Sequence, residues 1–283
     1  MNKKGKIFLN AYYLRQVADI CSSMQAIPGS YRVIDIHKLR VRVKRIKSIF
    51  RLLEYRYPAE FKVQDHYHLF KPVFKSAGLI RESQINLRLL REYPVAGRLR
   101  KAYSTYIAQL KSQWRLGLDA HIRSFNYKKL DDYDKRTKEL ISRNTESELV
   151  EITESFIYSE LQRINTMLDG PDDLEYIHEV RILLKNIKPL LGLIWRRKDN
   201  HFTKSHYESL NEAETYIGNW HDRVVLSRSV TLFFNAIGKE KEKMQEEYSS
   251  LQKELHNYNK EAFDKIRSSL AVMLEIFTGK LSI

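Results

Sequence analysis

Two sets of four side chains have types and spacing that could do chemistry. His37, Arg40, Lys44 and Lys47 form the first, and His178, Arg181, Lys185 and Lys188 repeat it 141 positions later. Both read His-x-x-Arg-x-x-x-Lys-x-x-Lys. On a helix, steps of three and four keep such residues on one face and climb about 5 Å each. A row of cations at that pitch matches an extended chain of phosphates better than one small anion. Arginine forks onto phosphate oxygens, lysine acts as a mobile point charge, and histidine donates when neutral or becomes cationic beside a polyanion. A single stripe would also fit a solvated face or half of an ion-pair network. Two in register point to a duplicated module whose cationic faces could share one polyanion.

The elements that must position these rows are themselves duplicated. One residue before each basic position runs an apolar stripe: Ile36, Leu39, Val43, Ile46, Phe50 and Leu53 in one copy, Ile177, Val180, Leu184, Ile187, Leu191 and Ile194 in the other. That spacing is a buried helix face, and a residue one position on lies about 100° around the helix, so the charges should flank the core at the edge of a groove. Pro28-Gly29-Ser30 and Asp169-Gly170-Pro171 match as the loops leading in, with Ser30 the expected N-cap and Pro171 suited to a first turn. Further on, Gly78-x-x-Arg81-Glu82 and Arg88 correspond to Gly218-x-x-His221-Asp222 and Arg228 at an offset of 140.

Gly and Pro are scarce, and alternation of period two is missing, which predicts an all-α chain. Helices are expected at 6–24, 30–54, 72–93, 96–126, 128–142, 146–168, 172–196, 203–236 and 238–278. The repeat divides the chain into halves, 1–145 and 146–283, each an antiparallel bundle of about four long helices. Of the net charge of +14, residues 1–143 carry 31 Lys and Arg against 12 Asp and Glu, and the remainder 18 against 23. The second half is therefore acidic by five charges yet keeps its whole basic stripe, so bulk basicity does not account for it. A lone Cys21 offers no disulfide framework and fits a reducing cytoplasm. No apolar run reaches the ~18 residues of a membrane span or resembles a signal-peptide core. A metal site is not expected, because neither stripe offers a second His or a carboxylate at i+3 or i+4. No cofactor is expected.

Each basic helix is followed by Gly-x-x-(Arg/His)-(Glu/Asp), whose Arg81 or His221 stands 44 or 43 residues after the stripe histidine. This duplicated pattern resembles the CHAD family, the conserved histidine α-helical domain. Asp35-Ile36-His37-Lys38-Leu39-Arg40-Val41-Arg42 and Tyr176-Ile177-His178-Glu179-Val180-Arg181 carry the likeness, which covers essentially the whole chain. It implies two four-helix bundles related by a pseudo-twofold axis, with basic residues lining a central cavity that binds inorganic polyphosphate. It also implies that the His, Arg and Lys residues of both stripes are ligands, in the cytoplasm or on polyphosphate granules. Arg51, Arg81, Arg88, His221 and Arg228 form a secondary basic set, with salt bridges through Glu82 and Asp222 as their structural alternative. Arg51 would extend the first row, whereas Pro189 should kink the second helix and, with Gly192, shorten its row. Glu240-Lys241-Glu242-Lys243-Met244 misplaces the lysine of the Glu-x-Glu-x-Lys signature of the CYTH domains that often accompany CHAD, so a stand-alone module is expected.

Three function classes follow. Polyphosphate binding without catalysis is the leading one. An enzyme processing polyphosphate would need a nucleophile or a carboxylate cluster for Mg²⁺, and the candidates Asp131, Asp132 and Asp134 read as a link between helices, Asp172 and Asp173 as first-turn capping. Nucleic-acid binding has the high pI and Tyr31, Tyr55, Tyr57 and Tyr67 in its favour, but the stripe helix places its nearest aromatic, Phe50, on the core side. Lys111, Arg115, Lys253 and Lys260 of the later helices are open candidates for completing a cavity, and Lys239 to Lys243 form a mixed-charge outer face.

Overall fold

The apolar stripes set the architecture. In the computed structural model, which describes residues 8–94, 97–168 and 174–279, no member of either stripe exceeds 2% exposure. Full burial of side chains of this size contributes roughly 1.5–3 kcal/mol each, which fixes the rotation of both stripe helices against their neighbours. The helices are α1 (Phe8–Ala26), α2 (Val33–Arg56), α3 (Val63–Tyr67), α4 (Lys71–Leu89), α5 (Gly97–Arg123), α6 (Tyr127–Ser142), α7 (Glu146–Leu168), α8 (Leu174–Ile194), α9 (Lys204–Ala236) and α10 (Gln245–Thr278). No strand occurs among the described residues, and no helix there is long and apolar enough to cross a membrane.

The stripe helices α2 and α8 pack on each other, α4 packs on α2, α9 packs on α8, and α4 meets α9. These four helices close a ring. Outside it, α1 supports α2, α7 supports α8, α5 lies on α4 and α10 on α9. The buried residues form two clusters, and both draw on sequence either side of residue 145. The larger runs from Leu9 through both stripes to Phe277; the smaller joins Leu89, Tyr103 and Ile107 to Leu226, Phe233 and Leu255.

Several local expectations are corrected. The final helix is not continuous: Gly238 adopts φ +57°, in the left-handed region that glycine tolerates, and a 3-10 segment Gly238–Met244 precedes α10. Lys239 to Lys243 therefore sit in that turn. Ser30 does not cap α2; its hydroxyl donates to Ala26 O at the end of α1, and Arg32 occupies the N-cap with Nε bonded to Asp35 at 2.7 Å. Asp131, Asp132 and Asp134 lie within α6, where Asp134 accepts the Tyr13 hydroxyl, and do not form a link. The five-residue α3 was too short to register as a periodic pattern. The loop Asp169 to Pro171, with Asp172 and Asp173, lies outside the described residues.

Pro189 lies inside α8, which continues past it to Ile194. A proline at this position lacks the N–H that would bond the carbonyl four residues back, that of Lys185. Ser48 of α2 supplies the missing donor: its hydroxyl lies 3.2 Å from Lys185 O and also 3.2 Å from Lys44 O. The proline thus creates a free carbonyl where the stripe helices meet, and the other half of the chain satisfies it.

Ser48→Ala should accordingly cost about 1–2 kcal/mol by leaving a buried carbonyl unpaired. In a Pro189→Ala background the restored N–H should remove most of that cost. Denaturant unfolding of the four-member cycle checks this coupling, and additive effects would contradict it.

Candidate functional site

The ring encloses polar residues where its helices face inward. Two adjoining clefts, of about 500 and 300 Å³, share His37, Val41, Lys44, Lys185 and Glu214 as common walls. The larger opens between α1, α2, α8 and α9 and adds Tyr12, Arg45, Lys188, Pro189, Gly192 and Tyr207. The smaller lies within the ring itself, where α2 and α8 supply Arg40 and Arg181, α4 supplies Gly78, Arg81 and Glu82, and α9 supplies Gly218, His221 and Asp222. Together the linings hold seven Lys and Arg against three carboxylates, an excess of four basic side chains over acidic ones.

Six of the eight stripe residues therefore converge: His37, Arg40, Lys44, Arg181, Lys185 and Lys188. Lys47 and His178 line neither cleft. Lys47 points to α3, where its ammonium lies 5.0 Å from the Tyr67 ring centroid, and the exposed His178 stacks on His221 with centroids 5.9 Å apart. Of the secondary set, Arg81 and His221 line the smaller cleft. Arg51 pairs with Glu54 at 2.9 Å, Arg88 pairs with Glu92 at 3.0 Å, and Arg228 is exposed outside both clefts. Helices α4 and α9 complete the walls, and Lys111, Arg115, Lys253 and Lys260 do not take part; Arg115 instead stacks over Tyr31. Gly192, expected to shorten the second row, lines the larger opening.

Each copy holds its cations differently. Arg40 donates to Phe74 O at 2.6 Å and lies 4.1 Å above the Phe74 ring. Gly78 makes room for this, since a Cβ there would sit 2.5 Å from Arg40 Nη1. In the second copy the position matching Phe74 is Glu214, whose carboxylate pairs with Lys188. Burial alone would raise Glu214, but Lys188, Lys185 and Lys44 outweigh it and hold the carboxyl below its ordinary range. Arg181 Nε is buried without a hydrogen-bond partner, and His221 Nδ1 lies 3.8 Å from Asp222. Glu214, Tyr12, Arg45 and Tyr207 escape the repeat pattern, because the first two are not duplicated in type and the others lie off the stripes.

Of the seven Lys and Arg, Lys188 alone has a carboxylate within ion-pair distance among the described residues, and the amines of Lys44 and Lys185 stand without one at the boundary that both clefts share. Burial, then the fields of Arg40 and Arg181, push Lys44 down to about 8. Burial, then Lys44 and Arg181, push Lys185 down to about 6. Burial and the neighbouring Arg81, Lys44 and Arg40 also lower His37. Burial is the larger cause for all three and the neighbouring cations add to it, while burial raises the Glu82 carboxyl despite Arg40. Such an arrangement can receive a multiply charged anion. Among the described residues no group of three His, Cys, Asp or Glu is placed to hold a metal ion.

Comparison with known proteins agrees with this fold. The family model described as CHAD domain matches residues 31–231. A crystal structure of the CHAD domain from the plant Ricinus communis is similar in fold, with a TM-score of 0.71 at 17% identity over 93% of this chain and 90% of that one. No curated protein matches the chain.

The depressed lysines have a consequence for stability. The unfolded chain binds more protons than the folded one from about pH 6 up to the ordinary lysine range near 10.5, so this contribution makes stability rise with pH across that window. Lys185→Met should therefore be more stable than the parent at pH 6, with the gain shrinking toward pH 10. Denaturation midpoints at pH 6, 8 and 10 measure it, and an equal loss at all three would contradict the assignment.

Proposed function

Because the chain belongs to the CHAD family, we propose that its seam binds inorganic polyphosphate without turning it over. The observation that carries the reading is the convergence of seven Lys and Arg, from helices of both halves, on clefts where Lys44 and Lys185 lack an acid partner. A phosphate chain supplies one negative charge or more per unit and can span adjoining clefts, which a single anion cannot. Arg40 and Arg181 offer paired donors to its oxygens, with Lys44 and Lys185 as point charges between them.

The wall chemistry supports binding in place of reaction. Glu214 is held by Lys188, and Asp222 faces Arg81, Arg181 and Lys185, so these carboxylates answer protein cations. The sequence repeat supports reading the ring as two related halves that each contribute a stripe helix and a glycine-bearing wall, Gly78 on α4 and Gly218 on α9. Association with polyphosphate granules in the cytoplasm would follow from retention on the polymer.

Replacing Arg40, Lys44, Arg181 and Lys185 together by glutamine should abolish retention on immobilised polyphosphate while circular dichroism stays helical. Single replacements should weaken binding and each lower the slope of log affinity against log salt, by roughly one for every phosphate no longer neutralised. Retention by the fourfold variant with an unchanged salt slope would refute the site. Displacement of polyphosphate by single-stranded DNA at equal charge concentration would refute the specificity for phosphate chains.

A further inference from the structure

Lys185 stands where the two clefts join and lines both. The groups that face it are Lys44 on α2, Arg181 on its own helix, and Glu214, His221 and Asp222 on α9. Lys188, one turn along, takes the Glu214 carboxylate, and Lys185 is left without an ion pair among the described residues. This is an amine in an anion-attracting cleft, with Lys44 and Arg181 beside it as separate cations. We propose that Lys185 is an acyl-acceptor amine: a small acyl phosphate docks its phosphate on Lys44 and Arg181 and passes its acyl group to Lys185 Nζ. The docking half rests on the seam being a phosphate site; the acylation half does not require a polymer.

A nucleophilic amine must be neutral. An ordinary lysine at pH 7.5 is neutral in roughly one molecule in a thousand. Burial, and after it Lys44 and Arg181, push Lys185 down to about 6 and leave most of it neutral at that pH; a docked phosphate paired with Lys44 and Arg181 cancels their fields but leaves the burial, the largest cause, in place. Nucleophilicity falls as basicity falls, which offsets part of this gain and leaves an advantage on the order of tenfold, by analogy with thiols. The nitrogen lone pair attacks the acyl carbon and a C–N bond forms. The C–O bond to the phosphorus-bound oxygen breaks, inorganic phosphate departs with that electron pair, and the proton shed by nitrogen passes to the departing phosphate. The product is a neutral amide at the junction of the clefts. It permanently removes an amine that a bound polyanion would charge, and so weakens the seam's hold on polyanions.

The test is site-resolved mass spectrometry of the full-length protein incubated with acetyl phosphate at pH 7.5. Lys185 should acetylate about tenfold faster than the exposed Lys38 and Lys198. Tripolyphosphate should slow Lys185 without slowing Lys38, and Lys44→Gln should slow Lys185. Acetylation of Lys185 no faster than that of Lys38 would overturn the proposal. So would a fast Lys185 that tripolyphosphate does not protect and that uncharged acetic anhydride selects equally well, since the phosphate would then play no part. Polyphosphate retention by the same untreated preparation separates the two readings: retention with an unreactive Lys185 overturns acylation alone, and a protected, reactive Lys185 without retention overturns the polymer reading alone.

Discussion

Like charges crowded into a partly desolvated seam repel one another, and that constraint organises the centre of this protein. Seven Lys and Arg line the clefts, and three carboxylates face them. Desolvation penalises each charge, and proximity adds repulsion. Three remedies exist: an acid nearby, loss of a proton, or an anion from outside. The molecule uses the first for Lys188 through Glu214 and the second for Lys185 and Lys44, whose protons are loosely held. The third is the role proposed for the polyanion.

The surrounding fold can sustain this unfavourable centre because its support lies elsewhere. Twelve fully buried stripe residues anchor α2 and α8, and a smaller cluster clamps the far ends of α4, α5, α9 and α10. Details at the seam are adapted to holding cations close. Gly78 admits the Arg40 guanidinium against the α4 backbone, and Ser48 bridges the carbonyl that Pro189 leaves free. The two copies differ where Phe74 under Arg40 is answered by Glu214 beside Lys188. The first copy holds its arginine on a ring and a carbonyl, and the second holds its terminal lysine by charge.

Much of this was legible in the sequence, and the reason is periodicity. Both apolar stripes are buried in full, and most helix boundaries fall within a few residues of those read from spacing, with 146–168 reproduced in α7; the exceptions are the unread α3 and the start of α10, seven residues later than expected. The basic rows were legible as rows, but their destinations were not. A linear pattern does not reveal where a neighbouring helix crosses, so it could not say that Lys47 turns to Tyr67 or that His178 stays exposed on His221. Glu214 was invisible for a different reason: its counterpart is Phe74, so comparing the copies removed it. Pro189 read as a kink that shortens the row because its local cost is plain in sequence, whereas the compensating Ser48 lies 141 positions away.

Proton uptake on binding is the most direct measure of whether the seam is held short of negative charge. Titrating polyphosphate into the protein at pH 7.5, in buffers of different ionisation heat, counts the protons exchanged. A polyanion beside Lys185 and Lys44 should restore their affinity for protons, so binding should take up about one proton or more per site, and the uptake should fall in Lys185→Met. Tight binding with no proton uptake, or with uptake unaltered in that variant, would place the anion somewhere other than the seam.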